Sequence, residues 1–152
     1  MSLRSASEAG LLIAPIAETD IAPVIALWQA CGLTRPWNDP AADIAQARRG
    51  SNAAILIGRS GNAIAASVMV GHDGHRGWVY YLAVDPDRQS KGFGRSMMRA
   101  AENWLRRAGI EKVQWLVRPG NEGVKAFYEK IGYGEQPRVL FAKWLDGREL
   151  TP

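Results

Sequence analysis

The sequence predicts a mixed α+β fold, with a mostly antiparallel sheet of about six or seven strands flanked by about four helices. Three observations carry this. Apolar runs at Ala53 to Arg59, Ala63 to Val70 and Trp78 to Val84 are separated only by short polar turns, which reads as an antiparallel meander. Helix start and stop signals recur in matched pairs along the chain. After Val84, a strand, a helix and a strand must be joined by a right-handed parallel crossover.

The elements follow in order. Met1 to Gly10 reads as a disordered lead-in, lacking the apolar segment and cleavage site of a signal peptide. Leu11 to Ile16 reads as the first strand. Asp20 then caps a helix in which Ile21, Val24, Ile25 and Trp28 keep the 3.6-residue period; Pro23 sits in its first turn and Gly32 ends it. Cys31 shares that spacing and is expected as a buried free thiol. Asp39 as N-cap, Pro40 at the first helical position, Arg48 and Arg49 in the last turn and Gly50 beyond it announce the second helix. The meander comes next. A helix from about Gly92 to Ala108 places Phe93, Met97, Ala101, Trp104, Leu105 and Ala108 on one face, arginines opposite, and Gly109 at its end. Val113 to Val117 is the next strand. Asn121 starts a last helix with Val124, Phe127, Tyr128 and Ile131 inward and Gly132 closing it, and final strands fit Tyr133 to Trp144.

The chain has 152 residues, 47% of them hydrophobic, and a formal net charge of +4, within the range of one globular domain, assigned to residues 11–152. Its longest apolar run falls short of the roughly 18 residues of a membrane span, so no membrane association and a cytoplasmic location are expected. A monomer or homodimer is expected. The positive charge is modest and concentrated in Arg88, Lys91, Arg95, Arg99, Arg106 and Arg107. That placement suits a phosphorylated small molecule better than nucleic acid.

The cluster surrounds Gln89-Ser90-Lys91-Gly92-Phe93-Gly94, between an apolar strand and the start of the arginine-faced helix. A helix start offers unpaired N–H groups and the positive dipole end to anionic oxygens, and glycines allow close approach. Ser96 can add a hydroxyl, and Lys91 or Arg95 a charge. The spacing of a nucleotide P-loop and the third glycine of a dinucleotide fingerprint are both missing. Gln89-x-x-Gly92-x-Gly94 instead resembles the pyrophosphate loop of the GNAT N-acetyltransferase superfamily. Leu82-Ala83-Val84-Asp85-Pro86 is similar to that superfamily's central strand, and Asn121, Phe127, Tyr128, Gly132 and Tyr133 match its Asn-x-x-x-x-x-Phe-Tyr-x-x-x-Gly-Tyr segment. The resemblance extends from Leu11 to Trp144 in element order.

This resemblance implies a direct transfer of acetyl from acetyl-CoA to an amine acceptor, without a metal. It implies that the fourth and fifth strands splay, so that pantetheine lies along the main chain of Leu82, Ala83 and Val84. The cofactor residues it implies are those three, Gln89, Ser90, Lys91, Gly92, Phe93, Gly94, Arg95 and Ser96, and Asn121, Phe127 and Tyr128. Tyr128 is placed as the general acid at the leaving thiolate, with full proton transfer taken as favourable. Asn121 contacts the cofactor or only caps its helix. The family's usual glutamates on the central strand and the next are missing. Tyr80 or Tyr81 through water, or His75 or Asp73 from the loop before the strand, are left as base candidates. Loops 35–40 and 71–77 are similar to those of a bacterial subgroup and place Trp37, Asp39 and His75 at the acceptor pocket. His72, Asp73 and His75 make at most three ligands on one loop, so no metal is expected. A small-molecule primary amine is the expected acceptor. Alternatives are a protein or aminoacyl-tRNA amine, or a non-catalytic CoA-binding regulatory module.

Overall fold

The computed structural model describes residues 5, 6 and 9–151. They fall into two compact units, Met1–Leu116 and Val117–Pro152.

The first unit is built on a sheet whose strands lie side by side in chain order. Strands β1 (Leu12–Pro15), β2 (Ala53–Ser60), β3 (Ala63–His72) and β4 (Gly77–Val84) pair antiparallel, and β5 (Val113–Gln114) adds to β4 in parallel. A two-residue pairing of Ser5–Ala6 with Leu12 and Ile13 extends the β1 edge. Those two residues therefore depart from the expected disordered lead-in, while residues 1–4, 7 and 8 lie outside the described residues.

Helices α1 (Ile21–Ala30) and α2 (Pro40–Arg48) cover one face of the sheet, and α3 (Phe93–Arg107) covers the other. Val24, Leu27, Trp28, Ile44 and Ala47 pack with Ile55, Ile57 and Ala83 on the first face. The amphipathic α3 buries Phe93, Met97, Met98, Ala101 and Leu105. Its close seating requires Gly77, because a Cβ there would lie 2.5 Å from Leu105 Cδ1.

The expected start of α1 needs correction. Asp20 makes no side-chain cap bond; its carboxylate accepts from the Ala17 amide at 2.8 Å and pairs with Arg59 of β2. The aspartate is buried, and burying a carboxylate is tolerable only with such partners. Asp39 caps α2 as expected, its Oδ1 accepting from Ala42 N at 3.2 Å. Cys31 lies just beyond α1, half-buried, and its thiol donates to Val84 O at 3.2 Å.

In the second unit, α4 (Glu122–Lys130) ends in a Schellman motif. Tyr133 N donates to Tyr128 O at 3.0 Å and Gly132 N to Glu129 O at 3.1 Å, with Gly132 at φ 104°. The strands expected over Tyr133 to Trp144 are not formed, so the expectation of six or seven strands is too high. Pro137 lacks an N–H, and the apolar run Val139-Leu140-Phe141 has no paired neighbour among the described residues; without a ladder, propensity alone does not make a strand.

Candidate functional site

The site in the first unit begins where β4 loses its outer neighbour. Pairing with β5 is confined to Gly77 with Val113 and Trp78 with Gln114, so beyond Trp78 the β4 edge carries no strand among the described residues. An unpaired edge of this kind presents a row of N–H and C=O groups to any extended ligand. Toward β3 the ladder is also broken. Ser67 pairs with Ala83 but Met69 pairs with Tyr80, so β4 carries one extra residue opposite Val68.

Tyr81 stands in that bulge at φ 53°, a left-handed conformation costing a non-glycine residue about 1–2 kcal/mol. Its ring stacks on Trp28 with centroids 3.8 Å apart and planes 6° from parallel. Its hydroxyl donates to Asp43 Oδ2 at 2.7 Å. A stacked pair is worth about 0.5–1.5 kcal/mol and a hydrogen bond to a charged group about 1.5–3, enough together to offset the backbone cost. Burial first, then Asp43, push the Tyr81 hydroxyl above the ordinary tyrosine range. The hydroxyl keeps its proton and donates it in a hydrogen bond to a carboxylate, which makes Tyr81 a poor base. Tyr80, by contrast, is 51% exposed.

Past β4, Asp85 opens a short 3-10 turn at Pro86–Arg88, its side chain accepting from Asp87 N at 3.0 Å and pairing with Arg88 at 3.4 Å. Gln89, Ser90, Lys91 and Gly92 follow as an exposed loop into α3. Ser90 has φ 65°, so both non-glycine residues with positive φ among the described residues fall in these two segments. Gly92, at φ 80°, is the N-cap of α3 and supplies no capping side chain, leaving the first-turn N–H groups without one. Phe93 is buried, Gly94 and Ser96 half-buried, and Lys91 and Arg95 exposed. This end of the helix suits an anionic group.

The 71–77 loop is organised by Asp73. Its Oδ1 accepts from His75 N at 2.9 Å and Arg76 N at 2.7 Å, and Oδ2 accepts from Trp78 Nε1 at 3.4 Å. These backbone bonds lower its pKa, so Asp73 is a weak base. His72 Nδ1 accepts from Gly74 N at 3.1 Å, and His75 is exposed. No group of three or more His, Cys, Asp or Glu among the described residues is arranged to hold a metal ion. In loop 35–40, Arg35 Nη1 donates to Gly32 O at 2.7 Å and Thr34 O at 2.9 Å, and Trp37 is half-buried.

In the second unit, the Tyr128 ring meets Phe127 and Tyr133 edge-on at 5.2 and 6.0 Å. Burial pushes its hydroxyl up to about 12. A thiol near ~8.5 is the stronger acid, so full proton transfer from this hydroxyl to a thiolate is uphill, not favourable as expected. Asn121 makes no side-chain cap bond, so the capping alternative is not realised.

Residues 22–133 match the model of the acetyltransferase (GNAT) family. The chain belongs to the GNAT acetyltransferase family. An acetyltransferase of Yersinia enterocolitica is 39% identical over 128 residues, covering 84% of this chain and 91% of that protein. One from Pectobacterium atrosepticum is also 39% identical, with the same coverage. Among solved structures, AAC(6')-Iy in complex with a CoA-S-monomethyl-acetylneamine bisubstrate analogue gives a TM-score of 0.77 at 15% identity, over 88% of this chain and 97% of the other. An aminoglycoside acetyltransferase from a soil metagenomic sample, in complex with sisomicin, gives 0.73 at 20% identity, over 89% and 96%. These two share the fold. The chain is thus an N-acetyltransferase, and no helix among its described residues is long and apolar enough to cross a membrane.

Sequence reasoning named Tyr81 but missed the residues that hold it. Trp28 reads only as one of the periodic apolar residues of its helix, and nothing in the sequence around Asp43 or Ser67 marks them as partners of Tyr81. No periodicity signals contacts between residues nearly forty positions apart.

Proposed function

We propose that this acetyltransferase takes acetyl-CoA as donor and moves the acetyl group directly to the primary amine of a small molecule. The observation that carries the donor is the open, bulged edge of β4 leading into an uncapped α3 N-terminus. The first fits an extended pantetheine arm and the second a pyrophosphate. When bound, acetyl-CoA supplies an acyl group already activated as a thioester.

Leu82, Ala83 and Val84 then hold the pantetheine by main-chain bonds. An N–H in this stretch donates to the thioester carbonyl oxygen as negative charge grows on it. Gln89, Ser90 and Lys91, with the amides from Gly92 to Ser96 and the Arg95 charge, hold the phosphates. From the family motif, Asn121 and Phe127 orient the arm and Tyr128 donates a hydrogen bond to the departing sulfur. With its ammonium proton already gone, the neutral acceptor nitrogen bonds to the carbonyl carbon as the carbon–sulfur bond breaks; the second proton that the nitrogen sheds on becoming an amide passes through water to the departing sulfur, which leaves as the free thiol. His75, or Tyr80 through water, takes the ammonium proton more readily than Asp73 or Tyr81, whose oxygens are engaged.

Trp37, Asp39 and His75 line the acceptor side. The aminoglycoside acetyltransferases among the structural neighbours support an amine of small-molecule type. Single-turnover release of thiol with a panel of small amines, peptides and aminoacyl-tRNA tests the reading. A small amine should give the fastest release. Release only with peptide or tRNA would reassign the acceptor, and no release would remove the donor.

A further inference from the structure

The bulge is held by more than its own strand. Trp28 Nε1 of α1 donates to Ser67 Oγ of β3 at 2.8 Å, and the Ser67 hydroxyl donates to the Tyr81 carbonyl at 3.2 Å. Tyr81 closes the circuit, stacking on Trp28 and donating to Asp43 of α2. Ser67 and Trp28 are both fully buried. Three polar side chains from three elements thus converge on one left-handed residue. Packing alone does not require this, since apolar side chains at these positions would fill the same space without fixing a carbonyl.

We propose that Ser67, Trp28 and Asp43 form a clamp that fixes the Tyr81 peptide, making Ser67 and Tyr81 positioning residues for acetyl transfer. The inference rests on the reading that the donor lies along Leu82 to Val84. Tyr81 touches no reacting atom. Its left-handed turn inserts one extra residue, so that the 81–82 stretch leaves the β3 ladder before Ala83 and Val84 rejoin it opposite Ser67 and Ala66, and the clamp holds that stretch in one orientation beside the open edge. A donor to a developing oxyanion acts only if its direction is set beforehand. Loss of the clamp therefore weakens the transfer step more than it weakens binding of the phosphates, which lie beyond the strand.

The test compares Ser67→Ala, Ser67→Thr and Tyr81→Phe with the native enzyme. For each, kcat and KM for acetyl-CoA, the Kd of free CoA and the Tm are measured. Ser67→Ala should lower kcat about tenfold or more with the CoA Kd changed less than about threefold. Ser67→Thr, which keeps the hydroxyl, should recover most of that loss. Tyr81→Phe keeps the ring stack and loses the Asp43 bond, and should fall between native and Ser67→Ala; it also serves if Ser67→Ala does not fold. Variants with lower Tm but native kcat and KM would overturn the clamp and leave the donor reading intact. Failure of the native protein to bind CoA or release its thiol would overturn the donor reading, and the clamp with it.

Discussion

Replacing Tyr128 with Phe removes one hydroxyl and keeps the ring. The edge-on contacts with Phe127 and Tyr133 and the Schellman bonds that close α4 all survive, so the helix should fold as before. The hydroxyl stands at about 12, against ~8.5 for a thiol. Complete proton transfer to the thiolate would cost about 5 kcal/mol, at 1.36 kcal/mol per unit. Donation of a hydrogen bond to the charged sulfur is worth about 1.5–3 kcal/mol, mostly realised as the charge develops. Tyr128→Phe should therefore lower kcat about 10- to 150-fold while changing the CoA Kd less than about threefold. Thiol release followed with a disulfide reagent gives the first, and calorimetry with free CoA the second. An unchanged kcat, or a loss carried wholly by KM, would refute the reasoning.

Gly92→Ala puts a Cβ on a residue at φ 80°, a strain of about 1–2 kcal/mol at the start of α3, and should raise KM for acetyl-CoA about tenfold with kcat little changed. Gly77→Ala drives a Cβ to 2.5 Å from Leu105 Cδ1; overpacking of this kind costs about 1–3 kcal/mol, lowering Tm by several degrees in thermal melts. Native Tyr128 is neutral and favoured by folding, whereas the unfolded residue ionises near pH ~10. Its contribution is therefore full below that pH and lost as pH rises from there to about 12. Tyr128→Phe should flatten this part of the loss in urea midpoints taken between pH 9 and 11, and an equally steep fall in the variant would contradict it.

The fold was readable wherever its cause was local. Asp39 before Pro40, the apolar face of α3 and the glycines ending helices are signals within a few residues of the effect they produce. The Phe-Tyr-x-x-x-Gly-Tyr segment owes part of its pattern to such a local cause, since Gly132 and Tyr133 are the last residues of a Schellman motif whose apolar contact is Tyr128 with Tyr133. Long-range causes were not readable. Asp20 sits where an N-cap belongs, yet its carboxylate serves Arg59. Strict alternation along β4 would place Gly77, Tyr81 and Ala83 on one face. In the structure Gly77 faces α3, while Tyr81 and Ala83 pack toward α1 and α2. One inserted residue reverses the parity, and nothing in Gly-Trp-Val-Tyr-Tyr-Leu-Ala-Val marks where it falls.

That reversal also bears on which amines can react. It draws Tyr81 into the core and onto Asp43, and Asp73 is spent on its own loop, so the strand and its preceding turn keep only His75 and Tyr80 as weak or water-mediated bases. At pH 7, deprotonating a lysine-like amine costs about 4.6 kcal/mol and an α-amino group nearer 1 kcal/mol. An acceptor whose own cationic groups depress the reacting amine's pKa eases the same step without help from the enzyme. The two routes differ in their pH profiles. If the acceptor must lose its proton to solvent, log kcat/KM rises with unit slope and levels at each amine's own pKa, so a series of amines gives a series of plateaus. If a group of the enzyme takes the proton, all amines share one limb, and replacing that group, in His75→Ala or Tyr80→Phe, removes it. With His75 or Tyr80 taking the proton, the proposed site predicts one shared limb; separate plateaus, lowest in pH for the least basic amine, would mean deprotonation by solvent alone. One shared limb that survives both His75→Ala and Tyr80→Phe would point to a base other than these two.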